Sequence, residues 1–245
     1  MVAVKTVNLS KRFDSKQAVE ALNLQIEQGE IFGLVGPDGA GKTTILRLLT
    51  AVLEPTAGEG WVCERDIIKQ SSAVKERIAY MPQRFGLYED LTVIENMDFY
   101  ADVYCVPPRQ RNEKIESLLE FSNLKAFRKR LVRNLSGGMK QKLGLTCALI
   151  HTPEVLFLDE PTNGVDPVSR RDFWQILYRL AEEKVTIVLS TSYLDEAERC
   201  NRVALLHKGM LLRCDTPSAI KSQTNSKDME EAFVSIINDY ERSSH

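Results

Sequence analysis

Residues 36–44 read Gly-Pro-Asp-Gly-Ala-Gly-Lys-Thr-Thr, which fits the spacing GxxxxGK[ST]. A loop of this type has a specific chemistry. Gly36, Gly39 and Gly41, with Pro37, Asp38 and Ala40 between them, let backbone N–H groups turn inward around phosphate oxygens. The helix that follows adds the positive end of its dipole. Lys42 carries a charge to the outer phosphates, the Thr43 hydroxyl is a ligand for Mg²⁺, and Thr44 enters the helix. The ligand these residues predict is a nucleoside triphosphate.

Two further sites suit the same chemistry. Asp159 and Glu160 close an apolar run, Val155 to Leu158, and precede Pro161. A carboxylate at that strand end can reach the Mg²⁺ shell, and its neighbour can polarise an attacking water as general base. Alone, an Asp-Glu pair at a strand end is equally a solvated turn; the phosphate loop gives it a use. The stretch Leu135–Leu143, LSGGMKQKL, places Ser136, Gly137 and Gly138 at the opening of a helix. That turn is a second anion site or simply a helix cap by Ser136. One γ-phosphate does not need two such sites on one chain.

These residues require particular elements to hold them. Leu22, Leu24 and Ile26 alternate with polar residues, as in a half-buried strand, and Ile31 to Val35 is a short buried strand running into the glycine loop. Thr44 to Leu53 has helical apolar spacing. From about Leu91 to Ile150 the pattern is helical: Ile115, Leu118 and Leu119 share a face, Met139 to Ile150 is an amphipathic stretch, and Pro107 and Pro108 separate pieces. Val155–Leu158 and Val185–Leu189 are buried strands with a helix, Phe173–Leu180, between them. Tyr193 to Cys200 is helical again. Val203–Leu206 and Met210–Leu212 flank Lys208-Gly209, a hairpin signal. Buried strands alternating with helices imply an α/β core with a mostly parallel sheet. An N-terminal antiparallel β part precedes it and a helical lobe is inserted. One domain over residues 1–245 is expected, with core at about 1–85 and 153–222, lobe at about 86–152 and a tail helix at about 228–240. The polar segment from Lys221 to Lys227 is the expected flexible stretch.

Composition narrows the class. A chain of 245 residues with 43% hydrophobic and 27% charged residues builds an ordinary globular core. A net charge of −2 argues against nucleic acid as a partner. The richest apolar stretch, Ile45 to Leu53, is short and contains Arg47, so no bilayer span is expected. The five cysteines are scattered, without a CxxC pair, as structural or incidental thiols of a reducing compartment.

With LSGGMKQKL the chain resembles the ATP-binding subunits of ABC transporters over nearly its whole length. Ser136, Gly137, Gly138, Met139, Lys140 and Gln141 match the family signature. The resemblance implies a P-loop NTPase fold, ATP with Mg²⁺ as ligands, and two such domains dimerising head to tail, each signature completing the other's ATP site. It implies further roles by position. Gln83, in YMPQRFGLYEDLT, matches the glutamine that touches Mg²⁺ or water and senses the transmembrane partner. Phe13, in SKRF, matches the aromatic that stacks on adenine, though a lone Phe is as readily core. Asp166, in NGVDP, matches the loop that communicates across the dimer and is also placed to cap a helix. Asp159 and Thr43 would hold the metal and Glu160 would act as base. The expected setting is cytoplasmic, peripheral on the inner face of the membrane, beside transmembrane permease subunits and a second ATP-binding domain. GLYEDLTVIEN and the tail MEEAFVSII, Met229–Ile237, resemble the ABC-2 exporter branch.

One departure stands out. After the third buried strand the family usually has a histidine that contacts the γ-phosphate, and here the position holds Ser192, in LSTSYLDEAE. His151 ends the signature helix, His207 lies on a later strand and His245 is terminal, so none fills the gap and each is structural or exposed. Serine donates one bond but is shorter and uncharged. Loss of one preorganised contact to developing charge costs on the order of 10²–10³ in rate. The expectation is normal ATP binding with slow hydrolysis at this chain's own site and a different, histidine-bearing partner. Two other readings stay open: a nucleotide-gated clamp with little turnover, and a soluble ABC ATPase not engaged in transport.

Overall fold

The computed structural model describes residues 1–243, and of Ser243 only the backbone; His245 lies outside the described residues. Two sheets organise the chain. The first is antiparallel, ordered β2-β1-β4-β5, from β1 (Val2–Phe13), β2 (Lys16–Glu27), β4 (Ala57–Val62) and β5 (Arg65–Asp66). The second has six strands, ordered β10-β9-β3-β8-β7-β6, from β3 (Ile31–Val35), β6 (Ile78–Met81), β7 (Val155–Asp159), β8 (Thr186–Thr191), β9 (Arg202–His207) and β10 (Met210–Asp215). Strands β6, β7, β8, β3 and β9 run parallel, and β10 closes the edge antiparallel. The turn into β10 has positive φ at both Lys208 and Gly209, the geometry that matches the twist of a two-residue hairpin.

β3, β7 and β8 are buried at every residue, because the parallel sheet is covered on both faces. One face packs Phe32, Leu34, Phe157 and Val188 against α1 (Lys42–Leu49) and the antiparallel sheet. The other packs Val35, Leu156, Leu158 and Leu189 against α5 (Gly137–Ala148), α6 (Pro167–Glu182) and α9 (Met229–Ser243). A short α2 (Ser71–Lys75) leads into β6, and between β6 and β7 the chain is mainly helical: α3 (Val93–Val103), α4 (Pro108–Phe121), two short 3₁₀ turns and α5. Pro108 opens α4, where its missing N–H costs nothing.

The helix expected to be amphipathic over Met139–Ile150 is instead buried without a break from Leu143 to Ile150. Leu145, Ala148 and Leu149 face the sheet while Leu143, Cys147 and Ile150 face α3 and α4. A helix clamped between two cores has no solvent face there. Two other expectations are corrected. The segment Lys221–Lys227 is largely ordered, since α8 (Pro217–Thr224) is capped by Thr216 Oγ1 and ends on Asn225 in the left-handed conformation. The segment Tyr193–Cys200 holds only a four-residue helix, α7 (Leu194–Ala197), because Glu196 is drawn to buried donors and the N–H groups of Arg199 and Cys200 close three-residue turns onto the Glu196 and Ala197 carbonyls.

Among the described residues Glu196 is the most enclosed charged one, 1% exposed. Oε1 accepts from Thr162 Oγ1 and from Trp174 Nε1 (3.2 Å), and Oε2 accepts from Thr191 Oγ1 (2.7 Å). Arg170 Nε lies 3.9 Å away. This one carboxylate ties the end of β8, the turn after β7 and α6 together. A buried charge is tolerated when it is hydrogen-bonded in this way. Glu196→Ala should leave three donors unpaired and lower unfolding free energy by roughly 3 kcal/mol; a urea melt reads it as a midpoint shift.

His151 joins the helical segment to the sheet. Its ring stacks on Tyr104 at 4.0 Å between centroids, and Nε2 lies 2.8 Å from the Ile78 carbonyl, to which it donates. Burial holds its pKa below the ordinary 6.5, against the opposing effect of that carbonyl, and Lys114 pushes the same way as burial. The folded state therefore prefers the neutral ring. This part of the stability is complete above the unfolded value and is lost as pH falls from 6.5 through the lowered folded value. Thermal melts between about pH 7.5 and about pH 5.5 should show a steeper fall for wild type than for His151→Gln.

Candidate nucleotide site

The carboxyl ends of β3, β7 and β8 converge, which is where parallel α/β sheets bind ligands. β3 delivers Val35 into Gly36, whose N–H donates to the Thr191 carbonyl (3.3 Å). A Cβ on Gly36 would collide with the Leu206 carbonyl, so only glycine lets the loop pass between β8 and β9. Gly41 has φ of 102° and sits against the Ala18 carbonyl, again with no room for a Cβ. The Gly209 N–H donates to the Ala40 carbonyl (3.1 Å), so the β9–β10 hairpin braces the loop from outside. The helix α1 then starts with Gly41 as N-cap and no side-chain cap. The amides of Lys42, Thr43 and Thr44 therefore have no intrahelical acceptor and are free for an anion.

Lys42 is 5% exposed. Its Nζ donates to the carbonyls of Gly36 (2.7 Å) and Pro37 (3.1 Å) and pairs with Glu160 Oε1 (3.2 Å). All three ammonium protons are thus used within the loop and its neighbour, and an arriving phosphate would compete for them. The cavity over the loop has a volume of about 480 Å³ and is lined among others by Phe13, Lys16, Asp38, Thr44, Gln83 and Glu160. Phe13, at the end of β1, is 45% exposed on its rim, with Lys11 Nζ 5.2 Å over the ring.

The two carboxylates at the end of β7 are held differently. Asp159 is buried; Oδ1 accepts from Thr43 Oγ1 (3.0 Å) and from Ser190 Oγ (2.6 Å), and Tyr80 Oη reaches Oδ2 at 3.5 Å. Burial and the Asp159 charge push the Tyr80 phenol above its usual range, so it stays a donor. Glu160 adopts φ of 47°, a left-handed conformation that is uncommon outside glycine and costs energy. Its N–H donates to Ser190 Oγ (2.9 Å). That turn throws its side chain the other way, toward Lys42, Gln83 and Asn163. Gln83 Nε2 and Asn163 Nδ2 each donate to Oε2 at 3.2 Å. Thr43 and Asp159 together suit a hard divalent ion that keeps waters and takes its other ligands from phosphate. Among the described residues no group of three or more His, Cys, Asp or Glu could hold a metal without that help.

Other predicted residues lie elsewhere. Ser136 caps α5, accepting from the Met139 N–H (3.3 Å), and is exposed with Gly137; Gln141 follows one turn later on the same helix. Gly138 is buried, and a Cβ there would collide with Ser169 at the start of α6. Asp166 caps α6, its Oδ1 accepting from the N–H groups of Ser169 (2.9 Å) and Val168 (3.1 Å), which hold its carboxyl below the usual range. Neither this pair of helix starts nor Ser192, exposed just after β8, lines the cavity over the phosphate loop. Ser190, Tyr80 and Asn163 were not foreseen. Ser190 faces Asp159 across the β7–β8 register, and only the strand order could have revealed it.

The family model for ABC transporters matches residues 19–163. The probable multidrug ABC transporter ATP-binding protein YbhF of Escherichia coli K12 is 52% identical over 221 residues, 89% of this chain but 38% of its own length. The present chain therefore spans under half the length of that relative. The Nod factor export ATP-binding protein I of Paraburkholderia xenovorans LB400 is 36% identical over 232 residues, 94% of this chain and 76% of its own. Among solved structures, an ATP-binding subunit of an ABC transporter superposes with a TM-score of 0.85 at 26% identity, covering 96% of this chain and 99% of its own. A dimeric ATP-binding cassette, MJ0796, bound to ADP and Pi in a post-hydrolysis state, superposes at 0.77 with 25% identity, covering 87% and 98%. The matched range takes in the phosphate loop, the paired carboxylates and the capped Ser-Gly-Gly turn, and the chain belongs to the ABC transporter family as one of its ATP-binding domains.

Proposed function

We propose that the chain is the ATP-hydrolysing motor of an ABC exporter, acting head to tail with a second ATP-binding domain on the inner face of the membrane. The observation that carries this is a division of labour. Lys42, Gln83 and Glu160 meet over the phosphate loop, whereas Ser136, Gly137 and Asp166 stand exposed away from that cavity, with Gly138 packed beneath them. Such a turn has a use if another domain's ATP sits on it. The dimeric cassette bound to ADP and Pi supports that arrangement, and the relative named for Nod factor export supports the direction.

Bound ATP takes the amides of residues 42–44 and Lys42 Nζ, and Phe13 stacks on the adenine. Lys42 then leaves Glu160 Oε1, which is freed to accept a proton from the attacking water. Thr43 and Asp159, with Gln83 as a further candidate ligand, would hold a Mg²⁺ ion, which would supply charge neutralisation for the phosphates. Downstream of Gln83, Tyr88 is exposed and packs edge-on against Phe99 (4.6 Å), itself packed on Tyr100, whose hydroxyl donates to the Gly86 carbonyl (2.7 Å) of the Gln83 loop. This aromatic patch suits a helix of the transmembrane permease, and its contact with the Gln83 loop couples the permease to the site.

Ser192 makes this chain's own site slow. Its side chain is short, exposed and off the cavity lining, so the γ-phosphate lacks the contact a histidine supplies. The same observation favours a second reading, a clamp gated by ATP binding with little turnover. Phosphate release with and without a partner ATP-binding domain separates the two. Ser192→His should raise kcat on the order of 10²-fold, the worth of one preorganised donor, with ATP affinity little changed. An unchanged rate in the variant dimer overturns the slow-site reading.

A further inference from the structure

The Glu160 side chain has a connection to the switch segment that bypasses Ser192. Oε2 of Glu160 accepts from Asn163 Nδ2 (3.2 Å), and Asn163 Oδ1 lies 3.2 Å from Tyr193 Oη. The direction of both bonds follows by elimination. An ionised carboxylate only accepts, so the amide must present its NH₂ to Glu160 and its oxygen to Tyr193. The Tyr193 hydroxyl must then donate. A carboxylate, an amide and a phenol form one chain with a single polarity, running from the residue after the switch position to the predicted base.

The far end of that chain is anchored firmly. The Tyr193 N–H donates to Thr191 Oγ1 (3.0 Å), and Thr191 in turn donates to the buried Glu196. The Arg170 guanidinium lies 4.6 Å over the Tyr193 ring and 3.4 Å from Asp195, which fixes the ring plane. Tyr193 is therefore held at backbone, ring and hydroxyl, whereas Asn163 sits exposed on a turn and Glu160 sits on a strained one. An exposed amide held at one end would rotate; the phenol selects one orientation for it.

We infer that Tyr193 and Asn163 are positioning residues for hydrolysis: they lock the Glu160 carboxylate through Oε2 and leave Oε1 for the attacking water. The inference rests on the reading of Glu160 as the base. It explains how a site lacking the histidine retains an ordered carboxylate, because the strand end controls Glu160 through its next residue. When ATP draws Lys42 off Oε1, the bonds from Asn163 and Gln83 to Oε2 are what keep the carboxylate from swinging.

The test is single-turnover hydrolysis of γ-labelled ATP by the dimer of the purified chain, with ATP affinity measured separately by a fluorescent ATP analogue. Tyr193→Phe keeps the ring and removes only the hydroxyl. It should lower the rate about 10-fold, the usual effect of removing an outer-shell orienting group, with ATP affinity and melting temperature unchanged. Tyr193→Phe in an Asn163→Ala background should add nothing further, since both act through one chain. If hydrolysis depends on Glu160, shown by its loss in Glu160→Gln, yet Tyr193→Phe leaves the rate unaltered or the two effects add, the relay is overturned alone. If Glu160→Gln retains the wild-type rate, Glu160 is not the base and both readings fall.

Discussion

The hydrogen bond from Thr43 Oγ1 to Asp159 Oδ1 joins residues 116 apart in sequence, and much else follows from it. It requires β3 and β7 to end at the same level, although β8 lies between them. Ser190, on that intervening strand, closes the gap: its hydroxyl donates to Asp159 and accepts from the Glu160 N–H. One serine thereby sets both carboxylates, and the left-handed turn at Glu160 sends the second one to the opposite side. Asp159 is left facing Thr43 and Tyr80, and Glu160 facing Lys42, Gln83 and Asn163. Two adjacent acids acquire different partners through backbone geometry alone.

The surrounding fold exists to make those strand ends rigid. Continuous burial along β3, β7 and β8 leaves the sheet no freedom to slip, since every residue contacts one core or the other. Buried polar groups carry the remaining constraints. Glu196 gathers three donors beneath the switch segment, and His151 bonds the end of β6's first residue while stacking on Tyr104 of the inserted helices. Such groups are costly when unpaired and directional when satisfied, so they fix angles that apolar packing leaves loose. The strain at Glu160 is supported by this stiffness.

Lys42 links the two conditions of the site. With no phosphate on it, the ammonium satisfies two loop carbonyls and one oxygen of Glu160, so the loop keeps its shape through its own cation. In the proposed mechanism nucleotide binding exchanges these partners for stronger, fully charged ones, and Glu160 stays restrained until that exchange occurs. The exposed Ser136 turn and the Asp166 cap, packed through Gly138 against Ser169, lie on a separate surface with unfilled donor capacity.

The phosphate loop, the Asp159-Glu160 pair and the Ser136–Gly138 turn were legible in the linear sequence, because each is a contiguous motif with its chemistry and its local element side by side. The buried strands and the Lys208-Gly209 hairpin were legible for the same reason: their signals are periodicity and turn residues. Burial of α5 on both sides was not, since it depends on what packs against the helix from elsewhere. The order at Lys221–Lys227 and the shortness of the helix after β8 escaped for a related cause, a cap and an inward-turned Glu196 overriding local composition. Ser190, Tyr80 and the chain from Tyr193 through Asn163 to Glu160 could not be read in advance. They depend on which strands are neighbours and on which way one strained residue turns. The sequence by itself determined the family, its nucleotide ligand class and its contiguous motifs; the tertiary structure alone decided how Glu160 is aimed, because aim requires groups from three separate strand ends to meet at hydrogen-bond distance.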